Sequence, residues 1–406
     1  MNIPAEFDEI RPYEASEMRQ AFDDLLNDRQ FQLILKGFTP WLPKAVRNGL
    51  LRLAFTGVKT PLDFQKRFMK PVVNYIIRKH TDGLTFDDRW MDGQGNGTYT
   101  PDDQRFTFLS NHRDIVLDSA FLDVKLVEKG YPTTVEIGIG DNLLIYPWIK
   151  RLVRMNKAFT VRRGLTPHEM LRSSQLMSRY IHFAVTQKRE NIWIAQREGR
   201  AKDSDDRTQE SVLKMLAMGA TSPLQTSPQG GGSPADRLRD LNIVPLSISY
   251  EYDPCDYLKA QEMQQKRDNP AFKKSRQDDL DNMKTGILGY KGRVHYSCAR
   301  PVNTWLDTIS ALPKQEFYAA LAAHIDRDIF MNYQPFPGNY VALDELTDTP
   351  LFADRYTDEE KATFDRYLDG QLAKVTLPHP DRDFLRHQML LMYANPMKNH
   401  LDALKL

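Results

Sequence analysis

FLSNHRDIVLDSAFL (residues 108–122) decides how this chain reads. The run Phe106, Thr107, Phe108, Leu109 is apolar and β-branched, which predicts a buried strand over 105–110. The run stops at Asn111-His112. Apolar residues at helical spacing follow at once and predict a helix over 114–129. A histidine at the carboxyl end of a strand, with Asp114 and Asp118 just after it, stands where open α/β sheets carry their sites. Imidazole titrates near neutrality, so it suits a general base. A nearby carboxylate fixes the tautomer and favours the imidazolium that forms; Asp114 and Asp118 are both candidates. The plainer alternative is a strand-to-helix turn with Asp114 favourable in the first helical turn.

Outward from this stretch, strands and helices alternate. Strands are predicted at 105–110, 133–138, 157–162, 191–195, 243–252 and 292–298, and helices at 114–129, 143–154, 166–189, 208–218 and 254–284. Such alternation predicts an α/β domain with a mostly parallel mixed sheet flanked by helices. Residues 14–80 have helical periodicity broken by Pro40, Pro43, Pro61 and Pro71. Beyond about residue 300 the pattern is helical again. The expected organisation is an N-terminal helical region (1–100), an α/β domain (101–300) and a C-terminal helical region (301–406), with a boundary inside the turn-rich stretch 87–104. The Gly/Ser/Pro-rich connection 221–237 is expected to be mobile, either bordering the site or serving as a plain disordered insertion.

The chain has 406 residues, 41% apolar and 27% charged, ordinary values for a globular protein with room for two or three domains. A formal net charge of +1 argues against a nucleic-acid or other general polyanion binder. Local charge is more telling. Residues 142–168 contain no acid, yet hold Lys150, Arg151, Arg154, Lys157, Arg162 and Arg163 among Leu143, Leu144, Ile145, Tyr146, Trp148 and Ile149. The segment 37–59 has the same character. Both fit a surface that meets anionic lipid, and both also fit helices packed on a core. Two cysteines, Cys255 and Cys298, make neither a disulfide framework nor a zinc site and point to a reducing cytoplasm. The amino-terminal residues lack a signal-peptide pattern, and no window is long and apolar enough for a membrane span. The expected location is cytoplasmic, peripheral at the inner face of the cell membrane.

Three further segments carry chemistry. KAFTVRRG (157–164) ends a short strand in Arg162 and Arg163. Alternation sends these to opposite faces, so one can enter a cleft and bind phosphate. NIWIAQREGRAK (191–202) ends a strand in a charged turn. There Gly199 permits positive φ, Glu198 can accept from a hydroxyl, and Arg200 and Lys202 can reach phosphate. LNIVPLSISYEYD (241–253) places Pro245 inside an apolar strand, which predicts an edge, a bulge or a wall against a ligand. The letters His-Arg-Asp-Ile at 112–115 also resemble a protein-kinase catalytic loop. Position 119 is serine rather than asparagine, and no Gly-rich phosphate loop or Asp-Phe-Gly accompanies it.

Taken in order, SNHRDIVLD, FTVRRG, REGRAK and IVPLSIS resemble the four motifs of the glycerolipid acyltransferase superfamily, which includes glycerol-3-phosphate and 1-acylglycerol-3-phosphate acyltransferases. The resemblance covers about residues 105–300. It implies His112 as general base with an aspartate partner, Arg163 and Arg200 on the acceptor phosphate, and Glu198 placing a hydroxyl. Backbone N–H groups after His112 would hold the oxyanion. It implies an acyl-CoA or acyl carrier protein donor, a glycerol 3-phosphate or lysophosphatidate acceptor, a membrane surface as partner, and no metal or other cofactor. The family's aspartate falls five residues after the histidine; here Leu117 stands there and Asp118 follows. A helical side chain turns by about 100° per residue, so a local bulge is expected to return Asp118 to His112, with Asp114 as the alternative. The third motif has one residue fewer before its arginine. Two other readings stay open: O-acylation of another membrane lipid such as an acylated amino acid, and a non-catalytic lipid-binding protein on the same fold.

Overall fold

The computed structural model describes residues 3–91, 100–219 and 233–405. The boundary expected inside 87–104 and the connection expected to be mobile at 221–237 fall largely on 92–99 and 220–232, outside the described residues.

Seven strands form one sheet: β1 (Leu84–Asp87), β2 (Thr107–Ser110), β3 (Val135–Gly140), β4 (Ala158–Val161), β5 (Asn191–Ala195), β6 (Ile243–Tyr250) and β7 (Val294–Cys298). Their order is β1-β7-β6-β2-β5-β3-β4. Only the β6/β7 pair is antiparallel; the other five pairs are parallel. The sheet is therefore the mostly parallel mixed sheet that the alternation predicts. β2 lies at its centre, so neighbours on both sides fix the end that carries His112.

Side chains alternate across the sheet. Phe106, Phe108, Trp193, Val244 and Leu246 face a core that contains Leu117, Phe121 and Leu122 of the helix Leu117–Glu128. Leu109, Ile192 and Ile243 face the opposite core, with Tyr180, Ile181 and Ala184 of the helix Pro167–Thr186 and Leu321 and Ile325 of Lys314–Met331. A third core joins the helix Asp256–Asp268 to Pro337–Thr347, Asp358–Leu372 and Arg382–Leu404 around Val341, Phe364, Leu385 and Met389.

Several expectations need correction. β1 is missing from the predicted strands: it is a partly exposed edge strand with only Leu84 and Phe86 apolar, yet it pairs in parallel with β7. The helix expected over 254–284 is two helices, Asp256–Asp268 and Arg276–Leu288, because Pro270 cannot continue the first. Pro245 is buried in β6, an interior strand rather than an edge. Its carbonyl accepts from Ala299 N–H at 2.8 Å, just beyond the Leu246–Cys298 pair. Lacking an N–H, proline cannot return the second bond of that pair, so it sits where the β6/β7 ladder ends.

Part of the basic block 142–168 packs against the N-terminal region, while Lys150 and Arg162 stay exposed. Trp148, Leu152 and Met155 of the helix Pro147–Met155 pack against the N-terminal core around Phe22 and Phe55. Arg151 pairs with Asp24 and Asp28, Arg154 donates to Arg11 O at 2.9 Å, and the Lys157 ammonium is buried. Among the described residues no helix is long and apolar enough to cross a membrane.

Candidate functional site

His112 follows directly from the end of β2. Asn111 extends the strand's pairing by a side-chain route: its Nδ2 donates to Ile248 O at 2.9 Å and its Oδ1 accepts from Ile248 N–H at 2.8 Å. On the other flank, Gln196 N–H donates to Ser110 O at 2.8 Å. Both neighbours thus hold the backbone on which the imidazole is carried.

His112 Nδ1 lies 2.8 Å from Asp118 Oδ2. The same oxygen accepts from Arg113 N–H at 2.7 Å and Asp114 N–H at 3.0 Å. A carboxylate can only accept, so Nδ1 carries the proton and Nε2 is left as the basic nitrogen. Asp118 is completely buried, whereas the His112 side chain keeps 13% of its surface. Its ring meets Trp193 edge-on at 5.6 Å between centroids, and Trp193 Nε1 donates to Ser110 Oγ at 3.1 Å. Ring position and tautomer are therefore both fixed.

The helix begins at Leu117, not at 114, and this settles which acid meets the ring. The extra residue between His112 and Asp118 is taken up in the non-helical turn 113–116, so no helical rotation misplaces Asp118. Asp114 turns to the helix instead, accepting from Val116 and Leu117 N–H at 2.8 Å each. Burial, and then the Asp118 charge, push its pKa up. These four amides also correct the oxyanion expectation: Arg113 and Asp114 N–H serve Asp118, and Val116 and Leu117 N–H serve Asp114.

Arg162 and Arg163 diverge as alternation requires. Arg162 turns to the N-terminal segment and pairs with exposed Glu9. Arg163 turns inward and pairs with Glu198, which joins the turn after β4 to the turn after β5. Arg163 N–H donates to Asp141 Oδ1 at 3.1 Å. A Cβ at Gly140 would stand 2.6 Å from Arg163 Nε, so only glycine leaves room for this guanidinium. Gly199 has φ +70°, the turn its sequence position predicts. Arg200 does not join Arg163. It donates to Asn282 Oδ1 at 3.1 Å, and Lys202 donates to Glu262 at 2.6 Å. Burial alone would lower the Arg200 pKa, but Cys255, Asp253 and Asp114 around it raise it.

The structure adds groups that sequence reasoning missed. Arg113 Nη1 lies 3.5 Å from Asp206 Oδ2, and both side chains are buried beside His112. Burial raises the Asp206 pKa against the pull of Arg113. Asp118 Oδ1, Asp206 Oδ2 and both amide atoms of buried Gln196 have no hydrogen-bond partner among the described residues. Buried polar atoms are nearly always paired, so such a cluster marks a place that other groups enter. The run DSDD at 203–206 offered no periodicity to show which acid turns inward.

No protein-family model matches this chain. No curated protein matches it either. Among solved structures, the crystal structure of the 1-acyl-sn-glycerophosphate (LPA) acyltransferase from Thermotoga maritima is similar at 10% identity and TM-score 0.33, over 68% of this chain and 88% of that one. A likeness that distant leaves the chemistry to be read from the residues themselves.

Proposed function

We propose that this protein is an O-acyltransferase, moving a fatty acyl group from the thioester of acyl-CoA or acyl carrier protein to a hydroxyl of glycerol 3-phosphate or lysophosphatidate. The observation that carries the reading is the His112–Asp118 pair at the carboxyl end of the central strand, with Nε2 left basic. Nε2 takes the acceptor hydroxyl proton as the oxygen attacks the thioester carbonyl, while Asp118 holds the imidazolium. The tetrahedral intermediate collapses to an ester, and the departing sulfur leaves as the thiol with that proton. Arg163 is the cation we assign to an acceptor phosphate, which would displace Glu198 from it.

The membrane face we assign to the helices Arg29–Phe38 and Lys44–Ala54. Trp41 between them is 76% exposed and Leu53 is 70% exposed, with Leu33, Val46 and Leu50 also exposed. Val46, Leu50 and Leu53 share one helical face. Residues 29–62 hold six lysines and arginines and no acid, so an anionic bilayer is the complementary partner.

One observation favours a second acceptor class. Arg200 is engaged by Asn282 and surrounded by acids, which leaves one arginine fewer for a phosphate than the family pattern implies. An acylated amino acid would need fewer cations. The test is an acceptor panel with a radiolabelled acyl thioester: glycerol 3-phosphate, lysophosphatidate and a non-phosphorylated acylated amino acid. The first reading predicts product from the phosphorylated acceptors and its loss through acceptor KM in Arg163→Ala. Product from the amino-acid lipid alone, indifferent to Arg163→Ala, supports the second. No product from any acceptor contradicts both.

A further inference from the structure

The loop Arg200–Gln209 carries Asp206 to Arg113, yet few of its own contacts hold it in shape. Asp206 Oδ1 accepts from Ala201 N–H at 3.4 Å, a long bond, and Ser204 sits at φ +61°, a conformation that strains a non-glycine residue. Arg200 and Lys202 anchor its start to Asn282 and Glu262, and the C-terminal helices hold the rest. Asn395 Nδ2 donates to Asp203 O at 2.9 Å. Asn399, one turn further along the same helix, donates to Asp205 Oδ1 at 2.8 Å and accepts from Arg207 Nη2 at 2.7 Å. Thr208 N–H and Oγ1 both donate to Asp326 Oδ1, at 2.7 and 2.6 Å. Asn395 and Asn399 are four residues apart on Arg382–Leu404, and Asp326 lies on Lys314–Met331.

We propose that the C-terminal helices are part of the site: Asn399 and Asp326 are positioning residues that hold the Arg200–Gln209 loop, and so hold Asp206 against Arg113 beside His112. The proposal deepens the acyl-transfer reading and rests on it for its kinetic arm only. Asn399 is suited to the task because its amide donates to Asp205 and accepts from Arg207 at once. A loosened loop lets Asp206 leave Arg113, which frees the backbone next to His112 without touching the His112–Asp118 bond.

The test compares full-length wild type with Asn399→Leu, Thr208→Val and the control Thr208→Ser, which keeps the hydroxyl. Amide hydrogen exchange is read over 200–209 and at Arg113 and Asp114, and steady-state kinetics are read for acceptor and donor separately. The expected result is exchange at least about tenfold faster in the loop and at Arg113 and Asp114 for Asn399→Leu and Thr208→Val, with Thr208→Ser near wild type. Acceptor KM rises roughly tenfold in the same two variants while donor KM holds. A loop that loosens with Arg113 and Asp114 unchanged overturns the proposal, as does a loop that does not loosen. Site amides that respond in a protein transferring no acyl group uphold the positioning role and instead refute the acyl-transfer reading.

Discussion

At the amino ends of β3, β4 and β5, the Lys157 ammonium is buried and meets Thr133 Oγ1 at 2.9 Å, Thr134 O at 3.2 Å, Thr134 Oγ1 at 3.1 Å and Glu190 at 2.7 Å. Lys188 and Tyr180 both donate to the buried Glu136 next to it. At the carboxyl ends, Asp118 and Gln196 are as deeply buried, and each keeps a polar atom with no hydrogen-bond partner among the described residues, while buried Asp206 has Arg113 at 3.5 Å. Both ends bury charge in the same sheet. One end satisfies it from within, which is what a structural network must do. The other leaves acceptor capacity facing His112, at the end where α/β sheets bind ligands. Charge burial alone therefore does not locate a site; at the carboxyl end it coincides with a histidine whose Nε2 is left basic.

The comparison breaks if activity and stability fail to separate by end. The largest effect is expected in Asp118→Asn: acyl transfer falls roughly 10²–10⁴-fold, while the melting temperature moves by no more than a few degrees. Lys157→Met at the opposite end takes the buried ammonium from Glu190, which keeps Thr133 Oγ1 as a donor, and costs about 1–3 kcal/mol. Urea unfolding should show that loss, with turnover per folded molecule unchanged.

A pH measurement sharpens the contrast. Asp123 borders the amino-end network, accepting from Gln65 at 2.8 Å and Val135 N–H at 3.0 Å, and burial lifts its pKa from 3.8 to about 7. A raised carboxyl pKa means the folded chain takes up a proton the unfolded chain does not hold. The contribution to stability is full below about pH 4 and is lost as pH climbs through about 7. Relative to Asp123→Asn, the wild type should lose about 1–3 kcal/mol between pH 5 and pH 8 by urea unfolding. Equal slopes would remove Asp123 from the account. The smallest effect belongs to Arg162→Ala: an exposed pair with Glu9 contributes about 0–1 kcal/mol, and both stability and acceptor KM should stay close to wild type.

Much of the fold is legible in the chain. Six of the seven strands show as apolar runs ended by turn residues, because strands buried on both faces need continuous apolar sequence. β1 escapes because, as a partly exposed edge strand, it carries only two apolar residues, Leu84 and Phe86. At the site, His112 and the divergence of Arg162 from Arg163 follow from strand ends and alternation. The pairing of Asp118 does not, since it depends on where the helix starts, and Val116 offers no recognisable cap. Arg113–Asp206 and the hold of Asn399 on the loop are contacts across long separations, formed by side chains whose local sequence marks them only as polar.

The central claim is that the His112 imidazole, oriented by Asp118, acts as the base in acyl transfer. It is tested most directly by acceptor-dependent release of thiol from an acyl thioester, comparing wild type with His112→Ala at matched folded concentration. The account predicts release by the wild type that falls roughly 10²–10⁴-fold in the variant with an unchanged unfolding midpoint. Equal release by the two proteins would contradict it.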